Sequence, residues 1–349
     1  MTSADSPGFA GVLAIRRARD AERSPGDPPV PAAELFAREP GVQVRTWLAT
    51  LDEAPAGAAV ARRHCDGDND ALAQLAVTTL AEHRRGGIGR RLAATALRAA
   101  AADGATAVVG WPADTTGGAF CRALGLTIGQ TVGANRLRMA DVDAGRQSRW
   151  IDAAPARAAG YRVVGWVGVS PDEWAGTLAR ALDAMADAPT DDVEWQPHAL
   201  TAGEVQARER AADARGYDTV TSLALAPGRA PAGATQLLVS RWRPALAHQD
   251  DTCVVAAHRG HGLGRWLKAE NLRRALAHQP AVAVIETANA TTNAHMSAIN
   301  VEMGFRTHLT FDIYHGPLEV ALAAAERPGT ERTRLGRTRP EGDVAGGRS

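Results

Sequence analysis

Two basic, glycine-rich segments of the chain have the residue types and spacing of an anion-binding loop. The pattern Arg-x-x-Gly-x-Gly at residues 84–89 recurs at residues 259–264, 175 positions later in a chain of 349 residues. Each segment precedes a predicted helix, so the glycines would let the backbone approach a ligand and the helix N-terminus would add positive potential. Either loop could therefore hold a phosphate or a pyrophosphate, although glycines also begin helices for packing reasons alone.

A second motif repeats downstream in the same order. Residues 120–126, Phe-Cys-Arg-Ala-Leu-Gly-Leu, match residues 299–305, Ile-Asn-Val-Glu-Met-Gly-Phe, at an offset of 179 positions. An unchanged order with a small insertion between the motifs is what gene duplication followed by loop drift would leave. The sequence therefore predicts one functional module written twice, with a boundary near residue 145 in a polar, alanine-rich stretch.

Length and composition limit the class of protein. A chain of 349 residues suits two domains, and 45% apolar with 22% charged residues is typical of a globular protein. The formal net charge of zero argues against nucleic acid or an anionic membrane as a partner. The sequence has no N-terminal signal pattern and no long apolar run, so we expect a cytoplasmic protein. Its cysteines, Cys65, Cys121 and Cys253, are widely spaced without a Cys-x-x-Cys pair, so no metal site is predicted.

Both halves are predicted to be mixed α/β, because strand and helix patterns alternate along them. In the first half we predict strands over 42–51, 58–62, 75–80 and 105–109 and helices over 88–102 and 117–124. In the second half we predict strands over 161–169, 219–225, 236–239, 252–255, 282–286 and 307–314 and helices over 171–185, 201–215, 263–278 and 293–303. Only about forty residues precede the first hairpin, so we expect the first half to lack most of the opening strand and helices of the second.

The loops resemble the cofactor loop of the GNAT acyltransferase superfamily, which is (Gln/Arg)-x-x-Gly-x-(Gly/Ala) between a strand and a helix. Neither loop has the Lys-Ser/Thr pair of a Walker A loop or the third small residue of a Rossmann fingerprint. The family's later helix, Asn-x-x-Ala-x-x-x-Tyr-x-x-x-Gly-Phe, is similar to residues 293–305 and less similar to residues 114–126. The resemblance implies an α/β (α+β) protein of two tandem GNAT folds, each a mixed, mostly antiparallel sheet flanked by helices. We expect domains at 1–145 and 146–327 and a disordered tail at 328–349.

The resemblance implies transfer from acetyl-CoA to the primary amine of a small molecule by a monomer or homodimer, without a metal. The cofactor's pyrophosphate would lie on the backbone of the loop, and Asn293 would contact its pantetheine arm. The residues implied in cofactor binding are Val254, Val255, Arg259, Gly260, His261, Gly262, Leu263, Gly264, Arg265 and Asn293 in the second half, and Arg84, Arg85, Gly86, Gly87, Ile88, Gly89 and Arg90 in the first.

The resemblance also implies a thioester in the gap where strands 252–255 and 282–286 splay apart, so that a nearby carboxylate could act as the base. Glu286 and Asp251 stand at the ends of these strands, although such carboxylates are often only solvated. The tyrosine that usually protonates the leaving thiolate is replaced by Asn300 in the second half. An amide is too weak an acid for this step, so water or Tyr314 would have to substitute.

Turnover is expected in the second half. The first half carries Asp114 where the family has its cofactor asparagine, and a carboxylate would repel an anionic ligand. It also carries Cys121 at the tyrosine position, where a small buried hydrophobe is the plainer reading. These departures leave a second interpretation open, a sensor or scaffold that binds acyl-CoA without turnover.

Overall fold

The computed structural model describes residues 8–32, 41–65, 69–112, 114–189, 191–192 and 199–327, and the tail predicted over 328–349 lies outside these residues. The helices are α1 (Phe9–Arg23), α2 (Ile88–Ala102), α3 (Thr115–Ala123), α4 (Ala144–Asp152), α5 (Ala154–Arg157), α6 (Asp172–Leu182), α7 (Ala202–Ala214), α8 (Leu263–His278), α9 (Ala294–Met303) and α10 (Leu318–Glu326). The strands are β1 (Val42–Leu51), β2 (Ala54–His64), β3 (Leu72–Thr79), β4 (Ala107–Gly110), β5 (Thr127–Arg138), β6 (Arg162–Val167), β7 (Tyr217–Leu225), β8 (Pro231–Ser240), β9 (Leu246–Val254), β10 (Val284–Ala290) and β11 (Arg306–Pro317).

All eleven strands form one mixed sheet in the order β1-β2-β3-β4-β11-β5-β10-β9-β8-β7-β6. Two neighbouring pairs are parallel, β3 with β4 and β9 with β10, and the other pairs are antiparallel. Each parallel pair flanks one of the glycine-rich loops, so the repeat in the sequence is also a repeat in the sheet. The mixed α/β architecture with tandem halves is therefore confirmed.

The two halves exchange their last strands. Strand β11, from the second half, pairs with β4 of the first, whereas β5, from the first half, pairs with β10 of the second. The helices that follow these strands also pack on the opposite half: α4, after β5, packs on α8, and α10, after β11, packs on α2. Chain order alone would favour β5 beside β4, because consecutive elements are usually neighbours in space. The sheet is continuous across residue 145, and the domain boundary there stays a prediction.

The exchange interleaves the two hydrophobic cores. Leu137 of β5 is fully buried among second-half residues that include Ile285 and Phe305. In the other direction, Tyr314 of β11 and Leu318 of α10 are buried in the first-half core around Leu97. Each half therefore fills its core with side chains from the other, and we expect neither to be stable alone.

Five elements were not predicted from the sequence: α1, β5, α4, α5 and α10. Helix α1 packs Val12 and Ile15 against Ala58 of β2, so the first half does possess one of the opening helices that it was expected to lack. Arginines fill much of the rest of α1, which obscures its apolar face. The first half therefore has at least one opening helix, which the sequence pattern did not reveal.

Lys268, on α8, is fully buried in the second half. Its ammonium group lies 5.7 Å from the centre of the Phe305 ring, and burial lowers the pKa of the side chain to about 7. A buried ammonium group loses its hydration, and a cation–π contact replaces only part of that loss. Lys268 therefore destabilises the fold whenever it is charged.

Replacing Lys268 with methionine should raise the free energy of unfolding. The folded-state pKa lies below that of an unfolded lysine, so the unfolded chain binds more protons between about pH 7 and pH 10.5 and wild-type stability rises with pH across that window. Across this window the free energy of unfolding of the wild type rises by up to about 5 kcal/mol. Below pH 7 the charged Lys268 exerts its full destabilising effect. Urea unfolding over a pH series checks this. Leu272→Met, on the same helix, should keep the wild-type slope, and an unchanged slope in Lys268→Met would contradict the prediction.

Candidate active site

The glycine-rich loops both end at a helix N-terminus in the same backbone conformation. Gly87 precedes α2 with φ 81°, and Gly262 precedes α8 with φ 75°, both in the left-handed region that favours glycine. No side chain caps either helix. An added Cβ would have no neighbour within 4 Å at Gly87, and its nearest neighbour at Gly262 would be 3.9 Å away. Both turns are therefore open beside the glycine, and the uncapped first-turn N–H groups suit an anion such as a pyrophosphate.

The arginine that begins each motif holds the loop to the end of the preceding strand. Arg259 donates from Nε to the carbonyl of Val254 at 3.2 Å and pairs with Asp187 at 2.6 Å. Arg84 donates to the carbonyl of Thr79 at 3.1 Å and pairs with Glu22 at 2.6 Å, so the second arrangement repeats the first. Each guanidinium already has a carboxylate partner, and the backbone of the loop is left to contact an anion.

The two loops differ in strain. The residue after the arginine has a positive φ in both, 68° at Arg85 and 85° at Gly260. A side chain in this region costs roughly 1–2 kcal/mol, so the first loop is strained where the second is relaxed. The second loop is also supported by Tyr161, whose hydroxyl lies 2.9 Å from Nδ1 of His258. The ring of Tyr161 lies 5.2 Å from that of His261.

The last glycine of each motif permits close packing. A Cβ at Gly264 would lie 3.2 Å from Ile299 of α9, and one at Gly89 would lie 3.3 Å from Thr79 of β3. The next residue in the second half, Arg265, is bound by both carboxylate oxygens of Glu302 at 2.7 Å. Other residues predicted for cofactor binding stand along the loops and strand ends: Gly86, Ile88 and Arg90 around the start of α2, and Val254, Val255 and Leu263 between β9 and α8.

The parallel strands in each half separate beyond a short paired region. Strands β9 and β10 pair only from Leu246 to His248 and from Val284 to Glu286, and each then continues without pairing to the other. Strands β3 and β4 part in the same way after three residue pairs. The gap predicted in the second half is therefore present, with its paired base at His248 and Glu286.

A β-bulge places two carboxylates on β9 beyond its last pairing with β10. On the neighbouring strand, Thr235 pairs with Thr252 and Leu237 pairs with Gln249. Asp250 and Asp251 therefore oppose the single residue Gln236, as in a bulge, a feature often found beside active sites. Asp250 is exposed and Asp251 is half-buried by solvent accessibility. Desolvation by the surrounding protein nevertheless raises the pKa of both carboxyl groups, and the charge of Asp251 adds to the effect at Asp250, while Arg208 acts in the opposite direction.

Glu286 is held by an ion pair at the base of the gap, although the sequence left it open as a merely solvated carboxylate. Nε of Arg136 donates to its Oε1 at 2.7 Å. The other carboxylate oxygen, Oε2, lies 3.6 Å from Nδ1 of His248. Arg136 also hydrogen-bonds to Asp27, so the group includes residues from both halves of the chain.

Asn293 and Asp114 both cap helices. The side-chain oxygen of Asn293 accepts from the backbone N–H of Met296 at 3.1 Å, at the start of α9. That of Asp114 accepts from the N–H of Gly117 at 2.6 Å, at the start of α3. Asparagine and aspartate are both good N-caps, so the repeat of this position has a structural reason besides ligand binding.

The position of the usual tyrosine is filled by poor acids, the buried Asn300 in the second half and the half-buried Cys121 in the first. Asn300 is 2% exposed, its amide donates to the side chain of Asn289 at 2.8 Å, and its own oxygen is buried without a hydrogen-bond partner. In the first half, burial raises the pKa of Cys121 to about 11, so it stays a thiol at neutral pH. Cys121 packs against the first-half core, in keeping with a small hydrophobe.

Tyr314 lies in the first half, although the sequence suggested it as a substitute acid for the second. It pairs with Gly110 at the end of β4, and its hydroxyl accepts a hydrogen bond from Arg122 at 2.6 Å. A Cβ at Gly118 of α3 would lie 3.0 Å from the same hydroxyl. The strand exchange buries this phenol in the first-half core, so the suggestion that Tyr314 acts in the second-half site is corrected.

Three residues of this site were missed from the sequence. His248 was detectable in principle, because it stands opposite Glu286 once β9 and β10 are aligned as parallel strands. Arg136 and Asp27 were not, because they precede the predicted boundary and reach the second half only through the exchange. Among the described residues, no three His, Cys, Asp or Glu side chains converge as metal ligands.

Comparison with known proteins identifies the family. Residues 12–125 match the model of the acetyltransferase (GNAT) family. A solved tandem GNAT protein from the clavulanic acid biosynthesis pathway, without AcCoA, superposes with a TM-score of 0.75 and 26% identity. The superposition covers 91% of this chain and 97% of that one. The chain is therefore similar to tandem GNAT proteins over most of its length, and residues 12–125 carry the match to the GNAT acetyltransferase family. GNAT proteins generally use acyl-CoA and acetylate amines. This agrees with the reaction class that the sequence implied, acyl transfer to an amine, and does not identify the acceptor.

Other solved GNAT structures share only the fold. A GCN5-related N-acetyltransferase from Sphaerobacter thermophilus has 14% identity and a TM-score of 0.58, covering 89% of this chain and 93% of that one. A glucosamine N-acetyltransferase region of a fungal multi-domain β-N-acetylglucosaminidase has 13% identity and a TM-score of 0.61. The superposition covers 90% of this chain and 37% of that one. No curated protein matches this GNAT chain significantly. None of the helices in the described part of the chain is long and apolar enough to cross a membrane.

Proposed function

We propose that this GNAT protein transfers an acetyl group from acetyl-CoA to the primary amine of a small molecule, with turnover in the second half. The observation that carries the proposal is the carboxylate-lined gap between β9 and β10, next to an uncapped helix N-terminus. That N-terminus would bind the pyrophosphate through backbone N–H groups, and a backbone N–H in the unpaired part of β9 would polarise the thioester carbonyl.

The matching places in the first half are apolar. Residues 75–77 of β3, which correspond to the bulge that carries Asp250 and Asp251, are Leu-Ala-Val. Val109 stands third in its parallel ladder, as Glu286 does in the second half. An amine loses a proton as it attacks, so a gap without a carboxylate lacks a group to take that proton.

In the proposed reaction, Asp251 takes a proton from the acceptor ammonium and the free amine attacks the thioester carbonyl. A C–N bond forms, the C–S bond breaks, and water protonates the thiolate that leaves. Glu286 remains ion-paired to Arg136, so we assign it to orienting the cationic acceptor. Asn300 can only hydrogen-bond to sulfur.

The basic test is acetyl transfer by the purified chain over a panel of primary amines. Release of coenzyme A thiol should depend on the amine, and mass spectrometry should find the amine heavier by one acetyl group. Incubation with a small-molecule extract of cells would then identify the acceptor. Tight binding of acetyl-CoA with no transfer to any amine would favour the alternative of a sensor or scaffold, which the poor acids at Asn300 and Cys121 also favour.

A rival location for turnover is the first half, because the GNAT family match lies within residues 12–125. That match follows the sequence motif and does not report on the carboxylates in the gap. Matched loop substitutions, taken up in the Discussion, distinguish the two locations.

Replacing Asp251 with asparagine should lower kcat at least about 100-fold, the usual contribution of a general base. Burial raises the pKa of this carboxyl, so wild-type kcat/KM should fall as pH drops through that raised value. The fall should be absent in the variant. Asp250→Asn is the matched control, because it keeps the base and removes a neighbouring negative charge. It should retain both the activity and the fall at low pH, because desolvation is the main cause of the raised pKa of Asp251. Full activity of Asp251→Asn would exclude it as the base.

A further inference from the structure

The carboxylate at the base of the second-half gap is held by residues of the first half. We propose that Arg136 and Asp27 are positioning residues for Glu286, and that the first half thereby completes the acceptor site of the second. This inference rests on the proposed function, in which Glu286 orients a cationic amine. It gives the first half a catalytic purpose that does not require its own loop to bind anything.

Arg136 binds one carboxylate oxygen of Glu286, Oε1, and the other oxygen, Oε2, lies near His248. Nε and Nη2 of Arg136 both contact Oε1, at 2.7 and 2.5 Å. Oε2 lies on the side of His248, at the last residue pair before the strands part. The carboxylate therefore cannot rotate freely, and Oε2 stays beside His248, at the residue pair after which the two strands separate.

Arg136 binds a second carboxylate, Asp27, in addition to Glu286. Nη1 of Arg136 donates to Oδ1 of Asp27 at 3.2 Å, and Nη2 makes a second, shorter contact with the same carboxylate. Ser24 accepts a further hydrogen bond at 3.3 Å. Asp27 offsets part of the positive charge of Arg136, so the charge of Glu286 is not cancelled by the arginine that holds it. Arg23 is also close enough for Glu286 to raise its pKa, although burial has the larger, opposite effect.

The sheet explains why these side chains meet. Arg136, Glu286 and His248 are direct cross-strand neighbours on β5, β10 and β9. Their chain neighbours Leu137, Ile285 and Ala247 face the core under α8. Side chains alternate along a strand, so the polar row faces the opposite side of the sheet, where the turn after α1 supplies Asp27. Only the exchanged strand can place residue 136 beside residue 286.

The first half has no equivalent group in the corresponding row. There, Val109 of β4 lies between Gln74 of β3 and His315 of the exchanged strand β11. None of these three paired residues is a carboxylate, so the exchange gives the first half no counterpart of the Arg136–Glu286 pair in this row. This asymmetry separates a functional role for Arg136 from a general requirement of the exchanged fold.

The experiment measures steady-state kinetics and acetyl-CoA binding on the full chain carrying Arg136→Met, Asp27→Asn or Glu286→Gln. We expect Arg136→Met to raise KM for the amine about tenfold or more, the effect of losing about 1.4 kcal/mol or more of binding. Its kcat should change less, and Kd for acetyl-CoA should stay within about twofold, since the loop is untouched. Arg136→Lys keeps the positive charge but not the planar guanidinium that binds both carboxylates. It should therefore restore part of the affinity for the amine. Asp27→Asn should also raise KM.

A double-mutant cycle tests whether Arg136 acts through Glu286. The losses in Arg136→Met with Glu286→Gln should be clearly less than additive. Arg45→Met, which removes the distant Arg45–Asp103 ion pair on β1, is the matched control and should keep wild-type kinetics. Additive losses, or equal losses of kcat and acetyl-CoA binding, would overturn the inference. If Glu286→Gln is as active as the wild type while the second loop proves essential, the inference fails and the proposed function stands.

Discussion

Replacing Gly262 with glutamate should abolish acetyl transfer, whereas the same change at Gly87 should leave most of it. The new carboxylate would stand where the pyrophosphate must approach, and φ at this residue is 75°, which disfavours any side chain. Each lost hydrogen bond to a charged group is worth about 1.5–3 kcal/mol, so losing two lowers kcat/KM by at least about 100-fold. The reaction assigned to the second half cannot proceed without that contact.

The measurement is acetyl transfer to whichever amine is active, together with acetyl-CoA binding by calorimetry. Gly262→Ala serves as a control, because it introduces the strain without the charge and should retain more activity than the glutamate variant. One binding site should disappear in each glutamate variant if both loops bind coenzyme A. The reverse pattern, with Gly87→Glu inactive and Gly262→Glu active, would place turnover in the first half. That result would agree with the extent of the family match.

Residues 146–349 expressed alone should fail to fold into an active enzyme. Strand β5 is missing from that fragment, and with it Leu137, which is 0% exposed in the second-half core. Met139 and Val142, which pack against the same core, are lost as well. Removing even one large buried side chain costs about 2–5 kcal/mol, a large fraction of the roughly 5–15 kcal/mol that stabilises a typical domain. Strand β10 would also gain an unpaired edge, which promotes aggregation.

Circular dichroism, thermal unfolding and acetyl-transfer assays on the fragment check this prediction. Co-expression with residues 1–145 provides the control, because the two pieces together contain every strand of the sheet and should form a folded complex. The point substitution Leu137→Ala in the full chain should destabilise the second half by about 2–5 kcal/mol without removing any predicted ligand contact. A soluble, active fragment 146–349 would show that the exchange is dispensable.

The sequence by itself determined the family, the repeat and the two loops. A left-handed residue before a helix needs glycine, and helices begin and end by local rules, so Gly87 and Gly262 could be placed from spacing alone. The helix predicted over 263–278 was confirmed as α8, with both ends as predicted. The α/β pattern also follows from local periodicity. These features depend on residues close together in the chain.

Tertiary structure alone decided which half supplies each strand and which charges meet. Sequence order placed Tyr314 in the second-half site, yet pairing with β4 buries it in the first-half core. Arg136 belongs to the first repeat, yet pairing with β10 brings it to Glu286. Either partner for an exchanged strand would satisfy the same backbone hydrogen bonds and the same alternation of apolar residues. The choice depends on packing between residues more than 100 positions apart, as with Arg136 and Glu286, and no local pattern records it.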